Sequence, residues 1–215
     1  MEVEIIASTK EPEALVARAA KLCYAKEDKK PKKEEIKPFI EKLLKIGHTS
    51  PFEHISFTFR ISGVSRVLSH QLVRHRLASY SQQSQRYVFF DKASYVIPNS
   101  IKEKGLDKEF SEKIEEMVGF YKKLVDKGIP KEDARYILPS SFTTRLIMTM
   151  NARELMHFFR LRCCNRAQWE IRDMADKMLS LVKNIAPNIF FNSGPPCVTG
   201  PCPEGELSCG KPRKF

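Results

Sequence analysis

The sequence predicts an α+β fold, in which long helices pack against a modest mixed or antiparallel sheet. Residues 55–61 alternate apolar and polar side chains, and residues 144–150 form a second strand-like run. Apolar side chains recur at helical spacing within residues 110–124 and 167–185. Neither a strand–GxGxxG–helix unit nor a GxxxxGK(S/T) motif occurs, which argues against a Rossmann or P-loop site.

The N-terminal elements are predicted from short local signals. Residues 3–6 read as a strand, and Thr9 can cap a helix over residues 12–22 that has a proline in its first turn. A second helix is predicted over residues 36–44. It should end at Gly47, because glycine readily adopts the left-handed conformation that follows a helix.

The remaining elements follow from helical spacing and from one cap. Residues 64–72 predict a helix that leads into Arg74. Asn151, with Glu154 three positions later, resembles a capping box that opens another helix. We expect residues 1–190 to form a single domain and residues 191–215 to form a Cys/Pro/Gly-rich extension.

Composition indicates a cytoplasmic protein with anionic ligands. The chain has 215 residues, a net charge of +11 and no apolar run near the ~20 residues that span a bilayer. Its N-terminus lacks the basic and apolar layout of a signal peptide. The lysines at 29–33 are interpreted as a solvated surface. Several arginines between residues 60 and 172 are interpreted as binding residues, because arginine suits bidentate contacts with phosphate.

Six cysteines in such a chain are expected to be reduced. Cys23 is predicted to be a core residue because it lies on an apolar helical stretch, and burial is also expected for Cys163 and Cys164 near the end of another helix. Cys197, Cys202 and Cys209 have spacings that depart from the usual zinc knuckles, so a tail without metal is favoured over a metal site.

The segment from Arg74 to Tyr87, RHRLASYSQQSQRY, carries the strongest functional signal. If residues 82–86 are extended, Gln82, Ser84 and Arg86 point to one side, because strand side chains alternate. A guanidinium, a hydroxyl and an amide together suit a phosphate and an amide-bearing ring. The segment therefore predicts a nucleotide pocket.

Three motifs resemble those of flavin-dependent thymidylate synthases and occur in the same order. The first is Arg-His-Arg, seven residues and a serine, here Arg74 to Ser84. Residues 47–54 are similar to a GHxTPFEH segment. Asn151-Ala152-Arg153, with Leu161-Arg162 and the AQWEI run at 167–171, resembles the C-terminal helices of the family. The matches span roughly residues 45 to 172.

The resemblance implies a non-Rossmann flavin-binding fold and a homotetramer with active sites shared between subunits. It implies FAD as cofactor, with dUMP, 5,10-methylenetetrahydrofolate and NADPH as substrates, and neither nucleic acid, membrane nor metal as partner. The implied dUMP contacts are Gln71, Arg74, Gln82, Ser84, Arg86, Arg135 and Arg162. The implied FAD contacts are Ser50, Arg74, His75, Arg76, Gln82, Asn151, Arg153 and His157, and His48 is a further candidate beside folate or flavin.

Arg162 is the implied catalytic residue, because a guanidinium can stabilise negative charge on a uracil ring. Three positions depart from the family pattern: Ser50 stands where threonine is usual, Gln82 where glutamate is usual, and His157 where asparagine is frequent. Arg153 and Arg162 lie nine positions apart, near opposite faces of an ideal helix, so the helix either serves two pockets or breaks before Arg162.

Two other functions are compatible with parts of the sequence. A basic nucleic-acid-binding protein would explain the net charge, and its binding should weaken steeply with salt. A metal-dependent nucleotide hydrolase would use His48, His54, His75 and Glu53, although their spacing is not that of a standard zinc site.

Overall fold

The computed structural model describes residues 1–214, and these contain four strands and nine α-helices. The strands are β1 (Glu2–Ser8), β2 (Ser56–Ser65), β3 (Ala78–Gln82) and β4 (Thr143–Asn151). The helices are α1 (Pro12–Leu22), α2 (Lys33–Lys45), α3 (Arg66–Leu72), α4 (Asn99–Glu103), α5 (Asp107–Asp126), α6 (Lys131–Ala134), α7 (Ala152–Arg162), α8 (Trp169–Ile185) and α9 (Pro187–Phe190). Short 3-10 turns occupy Ser50–His54, Arg135–Ile137, Pro196–Val198 and Gly205–Leu207.

The strands form one antiparallel sheet in the order β1-β2-β4-β3, which confirms the α+β class. Phe57, Phe59 and Ile61 of β2 are fully buried at every second position, as the alternation predicted. On the other face the hydroxyls of Thr58 and Thr149 lie 2.9 Å apart, a cross-strand hydrogen bond between β2 and β4.

The chain divides into two compact units. Unit 1 contains residues Met1–Glu2, Ile61–Arg74 and Ser81–Ile147. Unit 2 contains Val3–Arg60, His75–Tyr80 and Met148–Phe215. Phe215, the last residue of the predicted extension, lies outside the described residues.

Unit 1 is built around α5. Ile114 and Val118, one turn apart on this helix, form a buried cluster with Phe142. The ring of Phe90 meets that of Phe142 edge to face, with 5.1 Å between centroids. This packing explains why the apolar stripe of residues 110–124 is helical: its 3.6-residue period places one face on the cluster.

Unit 2 contains the larger helices and the C-terminal tail. The buried face of α8 includes Met174, Met178 and Val182. The tail, residues 191–214, is attached to the same helix, because the Arg213 guanidinium makes a bidentate ion pair with Asp176 at 2.7 and 3.0 Å. None of the described helices is long and apolar enough to cross a membrane.

Four local predictions were wrong. Thr9 does not cap α1; its hydroxyl accepts the backbone N–H of Ser56 at 3.0 Å, and Glu11, with a φ of 45°, precedes the helix. Cys23 is exposed, because it lies beyond the last turn of α1. The helix predicted from residue 64 begins at Arg66, since β2 continues to Ser65.

The fourth concerns the nucleotide segment. Strand β3 ends at Gln82, and residues 85–87 form a turn, so Gln82, Ser84 and Arg86 do not alternate along one strand. Instead the Ser84 hydroxyl accepts the backbone N–H of Arg86 at 3.1 Å. This local side-chain bond offers the backbone an alternative to the sheet ladder.

Candidate active site

His75 is the buried member of the Arg-His-Arg motif, with 5% of its surface exposed. The motif lies after α3, which ends at Leu72, and not on the helix end itself. Within unit 2 the Tyr80 hydroxyl donates to the His75 carbonyl at 2.9 Å. The His75 ring packs edge to face on Phe158 of α7, with 4.9 Å between centroids. These contacts fix both the backbone and the ring of His75.

The hydrogen bonds of His75 define its protonation state. Arg162 donates from Nε to the His75 Nε2 atom at 3.0 Å. Since arginine cannot accept, Nε2 must carry no proton, and the ring proton lies on Nδ1. Nδ1 faces a carboxylate oxygen of Glu154 at 3.4 Å, a long contact. Burial, together with the charges of Arg162 and His157, lowers the pKa of His75 to about 4. His75 is therefore neutral at pH 7.

Glu154 is held in place at the first turn of α7. Its backbone N–H donates to the side-chain oxygen of Asn151 at 2.8 Å, so the predicted N-cap is confirmed. The Glu154 side chain does not complete the capping box, because it faces His75. Burial raises the pKa of this carboxyl, against the opposing effect of His157.

The helix α7 is unbroken from Ala152 to Arg162, so the alternative of a break before Arg162 is wrong. Arg162 is partly buried in the last turn, and burial lowers the pKa of its guanidinium. At the other end Arg153 is exposed and pairs with Glu53, a residue of the 3-10 turn Ser50–His54. This ion pair joins two motifs that lie 100 positions apart in the sequence.

The other flavin-side candidates also lie in unit 2. His157 is exposed four positions after Arg153 and therefore shares its face of α7. Ser50 is exposed at the start of its 3-10 turn, and His48 is half-buried just before it. Arg76 is exposed after His75. The pairs Arg153–Glu53 and Glu154–His75 thus bring the 3-10 turn and the Arg-His-Arg segment next to the first turn of α7.

Unit 1 holds the remaining nucleotide-side candidates. Arg86 forms an ion pair with the Glu132 carboxylate at 2.5 Å, and Arg135 donates to the Glu132 carbonyl at 3.1 Å. Gln82 donates from its amide to the Thr144 hydroxyl at 3.2 Å. The structure therefore brings Arg86 and Arg135 to one short segment.

Two further candidates of unit 1 belong to α3 and its C-terminal turn. Gln71 is half-buried on the last turn of the helix, and its side-chain amide lies 3.5 Å from the Val67 carbonyl. Arg74 is exposed just after the helix. The candidates thus divide by unit. Unit 1 contains Gln71, Arg74, Gln82, Ser84, Arg86 and Arg135, whereas unit 2 contains His48, Ser50, His75, Arg76, Asn151, Arg153, His157 and Arg162.

Two residues of the candidate site were not predicted from the sequence. The sequence predicts Glu154 only as part of a helix cap, although its buried carboxyl faces His75. Arg66, at the start of α3, is partly buried, and its pKa is lowered first by burial and then by the charge of Arg135. The sequence signal for Arg66 is that an arginine stands at an otherwise apolar helical position. Two guanidiniums close enough to repel each other favour binding of an anion.

Within residues 1–214, no three histidine, cysteine, aspartate or glutamate side chains are grouped so that they could hold a metal ion. Of the ligands that a metal-dependent hydrolase would use, His75 is bonded to Arg162 and Glu154, and Glu53 is paired with Arg153.

An α+β fold that carries arginine, amide and hydroxyl groups of this kind is compatible with a protein that binds anionic, ring-bearing ligands of the nucleotide class. Residues 4–188 match the family described as "Thymidylate synthase complementing protein", and the chain belongs to that family.

Proteins named flavin-dependent thymidylate synthase are similar to the chain over nearly its whole length. The one from Geobacter sulfurreducens is 51% identical, and the match covers 98% of this chain and 94% of that protein. The one from Clostridium tetani is 48% identical with the same coverage. The one from Pyrococcus furiosus is 42% identical over 96% of this chain and 91% of the relative.

Proposed function

We infer that this chain is a flavin-dependent thymidylate synthase that converts dUMP to dTMP with FAD as its cofactor. The observation that carries this conclusion is the 51% identity to a protein of that name over 98% of the chain. The one-carbon donor is 5,10-methylenetetrahydrofolate. The donor's methylene group becomes bonded to C5 of the uracil ring, the C5 proton is lost, and tetrahydrofolate leaves. FAD, when bound and reduced by NADPH, would supply the hydride that completes the methyl group.

Arg162 is the residue to which we assign activation of the uracil ring. Its Nε–H is occupied by His75, which leaves the two terminal amino groups of the guanidinium for a ligand. Negative charge on N3 and the ring carbonyls raises the nucleophilicity of C5, and a fixed guanidinium stabilises that charge. Partial burial strengthens the interaction, because water screens it less.

His75 and Glu154 act in this proposal as positioning residues for Arg162. A neutral His75 with its proton on Nδ1 presents a lone pair to Arg162, whereas a protonated ring would repel the guanidinium. Glu154 faces the protonated nitrogen and so favours this tautomer. The carboxylate therefore acts on Arg162 through the imidazole.

The residues around the first turns of α7 fit an FAD molecule. Arg153 and His157 expose cationic or hydrogen-bonding groups on one helix face, and such groups suit a pyrophosphate or the polar edge of a flavin. The proposed FAD set is completed by Arg74, His75, Arg76, Ser50, Gln82 and Asn151. His48 is proposed as a further contact to flavin or folate. Arg153 already pairs with Glu53. A bound phosphate would therefore either displace the Glu53 carboxylate or share the Arg153 guanidinium with it.

For dUMP, the proposed phosphate contacts are Ser84, Arg86 and Arg135. Arg86 and Arg135 both contact Glu132, one through its carboxylate and one through its carbonyl, so an anion would compete with the carboxylate for Arg86. Gln82 keeps a side-chain amide that can pair with a uracil carbonyl or N3–H. Gln71, Arg74 and Arg162 complete the dUMP set.

We further propose NADPH as the reductant, a homotetramer with shared active sites, and a cytoplasmic location. The unbroken helix α7 supports the tetramer, because Arg153 and Arg162 are about two and a half turns apart and therefore lie on opposite faces of the helix. A second copy of the chain would complete a pocket at one of these faces. The family match at residues 4–188 supports residues 1–190 as the functional domain, with 191–215 as an extension.

The test is a spectroscopic and product assay. We expect the purified protein to bind FAD with a flavin absorption band, to lose that band with NADPH, and to form dTMP only when dUMP and 5,10-methylenetetrahydrofolate are both present. A matched control is His70→Gln, since the exposed His70 has no proposed role. A protein that takes up no FAD and forms no dTMP would refute the assignment.

A further inference from the structure

Four of the six cysteines line one cavity of about 730 Å³ in unit 2. The cavity lies between the α7–α8 connection and the C-terminal tail. The cysteines are Cys164 on the connection and Cys197, Cys202 and Cys209 on the tail. We call this feature the thiol cavity. The proposed reaction makes no use of these thiols.

The tail that closes the thiol cavity is held by directed polar contacts. Arg213 donates to the Cys163 carbonyl at 2.6 Å in addition to its ion pair with Asp176. The Asn165 amide donates to the Lys211 carbonyl at 2.8 Å, and Arg166 pairs with Glu204. The cavity is therefore a built feature of the fold, and its thiols are brought together by contacts distant in sequence.

Cys209 has the environment of a reactive thiol. It is exposed, and the Asn165 amide approaches its sulfur at 3.9 Å. Hydrogen bonding with the backbone at Lys211 lowers the pKa of the Cys209 thiol. Desolvation opposes this shift, and the Asn165 amide and the Lys211 charge support it. The thiolate is the attacking species in disulfide exchange, so a lower pKa increases the reactive fraction at neutral pH.

The lining of the thiol cavity is strongly cationic. Five basic side chains line it, and Glu204 is the single acidic residue among its described lining; the bases are Arg160, Arg162, Arg166, Lys211 and Arg213. Two of the arginines are paired with carboxylates, which still leaves an excess of positive charge. Such a cavity favours an anionic reagent over a cationic one.

We propose that the thiol cavity is a modification site at which Cys209 exchanges with an anionic low-molecular-weight disulfide. The Cys209 thiolate attacks one sulfur of the disulfide. A new sulfur–sulfur bond forms to Cys209, the original disulfide bond breaks, and one thiolate leaves. The protein thiol is oxidised, the small disulfide is reduced, and an added dithiol reverses the modification.

Two other thiols serve as internal comparisons. Cys23 is exposed at the end of α1 and does not line the thiol cavity. Cys163 is fully buried, and burial raises the pKa of its thiol, so it should stay unmodified. If exposure alone set the rate of disulfide exchange, Cys23 and Cys209 would react equally fast. The thiol cavity predicts that Cys209 reacts faster.

The experiment treats the reduced full-length chain with oxidised glutathione, an anionic disulfide, or with cystamine, a cationic one. Mapping of the modified peptides by mass spectrometry then gives the rate at each cysteine. With glutathione disulfide we expect Cys209 to react roughly fivefold faster than Cys23 within the same molecule. With cystamine this preference should fall at least about twofold. Lys211→Gln should reduce the preference for the anionic reagent, and Cys209→Ser should remove the cavity adduct.

Three results would overturn the proposal. Equal rates at Cys23 and Cys209 would show that exposure alone governs the reaction. A faster reaction of Cys209 with cystamine would contradict the role of the cationic lining. Thiols that react only after a chelator has removed stoichiometric zinc would identify the cavity cysteines as metal ligands. Because the rates are compared within one wild-type chain, the outcome does not depend on the folding of any variant or on the proposed enzymatic activity.

Discussion

The buried neutral His75 should make the stability of this protein depend on pH. In the folded state the pKa of His75 is about 4, whereas the imidazole of an unfolded chain titrates near 6.5. Between these values the unfolded chain binds a proton that the folded chain does not. Stability is therefore fully present above about pH 6.5 and is lost as the pH falls toward 4.

The size of the effect follows from the two pKa values. Their difference, 6.5 minus about 4, corresponds at about 1.4 kcal/mol per pH unit to about 3 kcal/mol. The charged and titratable groups that face His75 are Glu154, His157 and Arg162. Glu154 acts in the opposite direction, because burial raises the pKa of its carboxyl and the folded state takes up that proton more readily.

The assay is urea unfolding of the wild type and of His75→Gln, at fixed protein concentration and without added ligands, between about pH 7 and pH 4.5. Glutamine is neutral throughout and can accept from Arg162, and Glu154 is present in both proteins. We expect the wild type to lose about 2 to 3 kcal/mol relative to the variant over this range. If the difference between the two proteins changes by less than about 1 kcal/mol, His75 does not carry the pH dependence and the reasoning fails.

Three further predictions concern α7 and the tail. Asn151→Ala removes the cap of α7 and should lower the free energy of unfolding by about 1 kcal/mol in urea, while Asn151→Asp should restore most of it. Arg162→Lys keeps the charge but loses the Nε bond to His75, so dTMP formation should fall roughly 100-fold with FAD binding retained; an unchanged rate would exclude the role given to Arg162. Asp176→Asn breaks the bidentate pair with Arg213, so limited proteolysis should cleave the tail faster, with Asp126→Asn at the end of α5 as control.

Local patterns were sufficient for much of the fold. The alternation in β2 and the apolar stripe of α5 each determined an element, because a period of two or 3.6 residues is set by the backbone alone. The Asn151 cap could also be predicted from the sequence, since it involves residues three positions apart. The motifs at residues 47–54, 74–84 and 151–171 were enough to identify the family.

Local patterns failed where the same side chain had another hydrogen-bond partner, either distant or local. Thr9 has the side chain of a helix cap, yet it bonds to Ser56, 47 positions away. Residues 82–86 could have continued an extended strand, but the Ser84 hydroxyl accepts a hydrogen bond from the backbone N–H of Arg86. In each case a competing hydrogen bond was available, and only the folded chain determined which one formed.

The candidate site shows the same division. The sequence by itself determined the family and the residue types of the site, because these depend on order and spacing along the chain. Only the tertiary structure decided that Arg162 bonds to His75 across 87 positions, that this bond fixes the histidine tautomer, and that Glu154 faces the other nitrogen. The same holds for the thiol cavity. Burial and long-range pairing set protonation and reactivity, and both arise only when distant segments exclude water together.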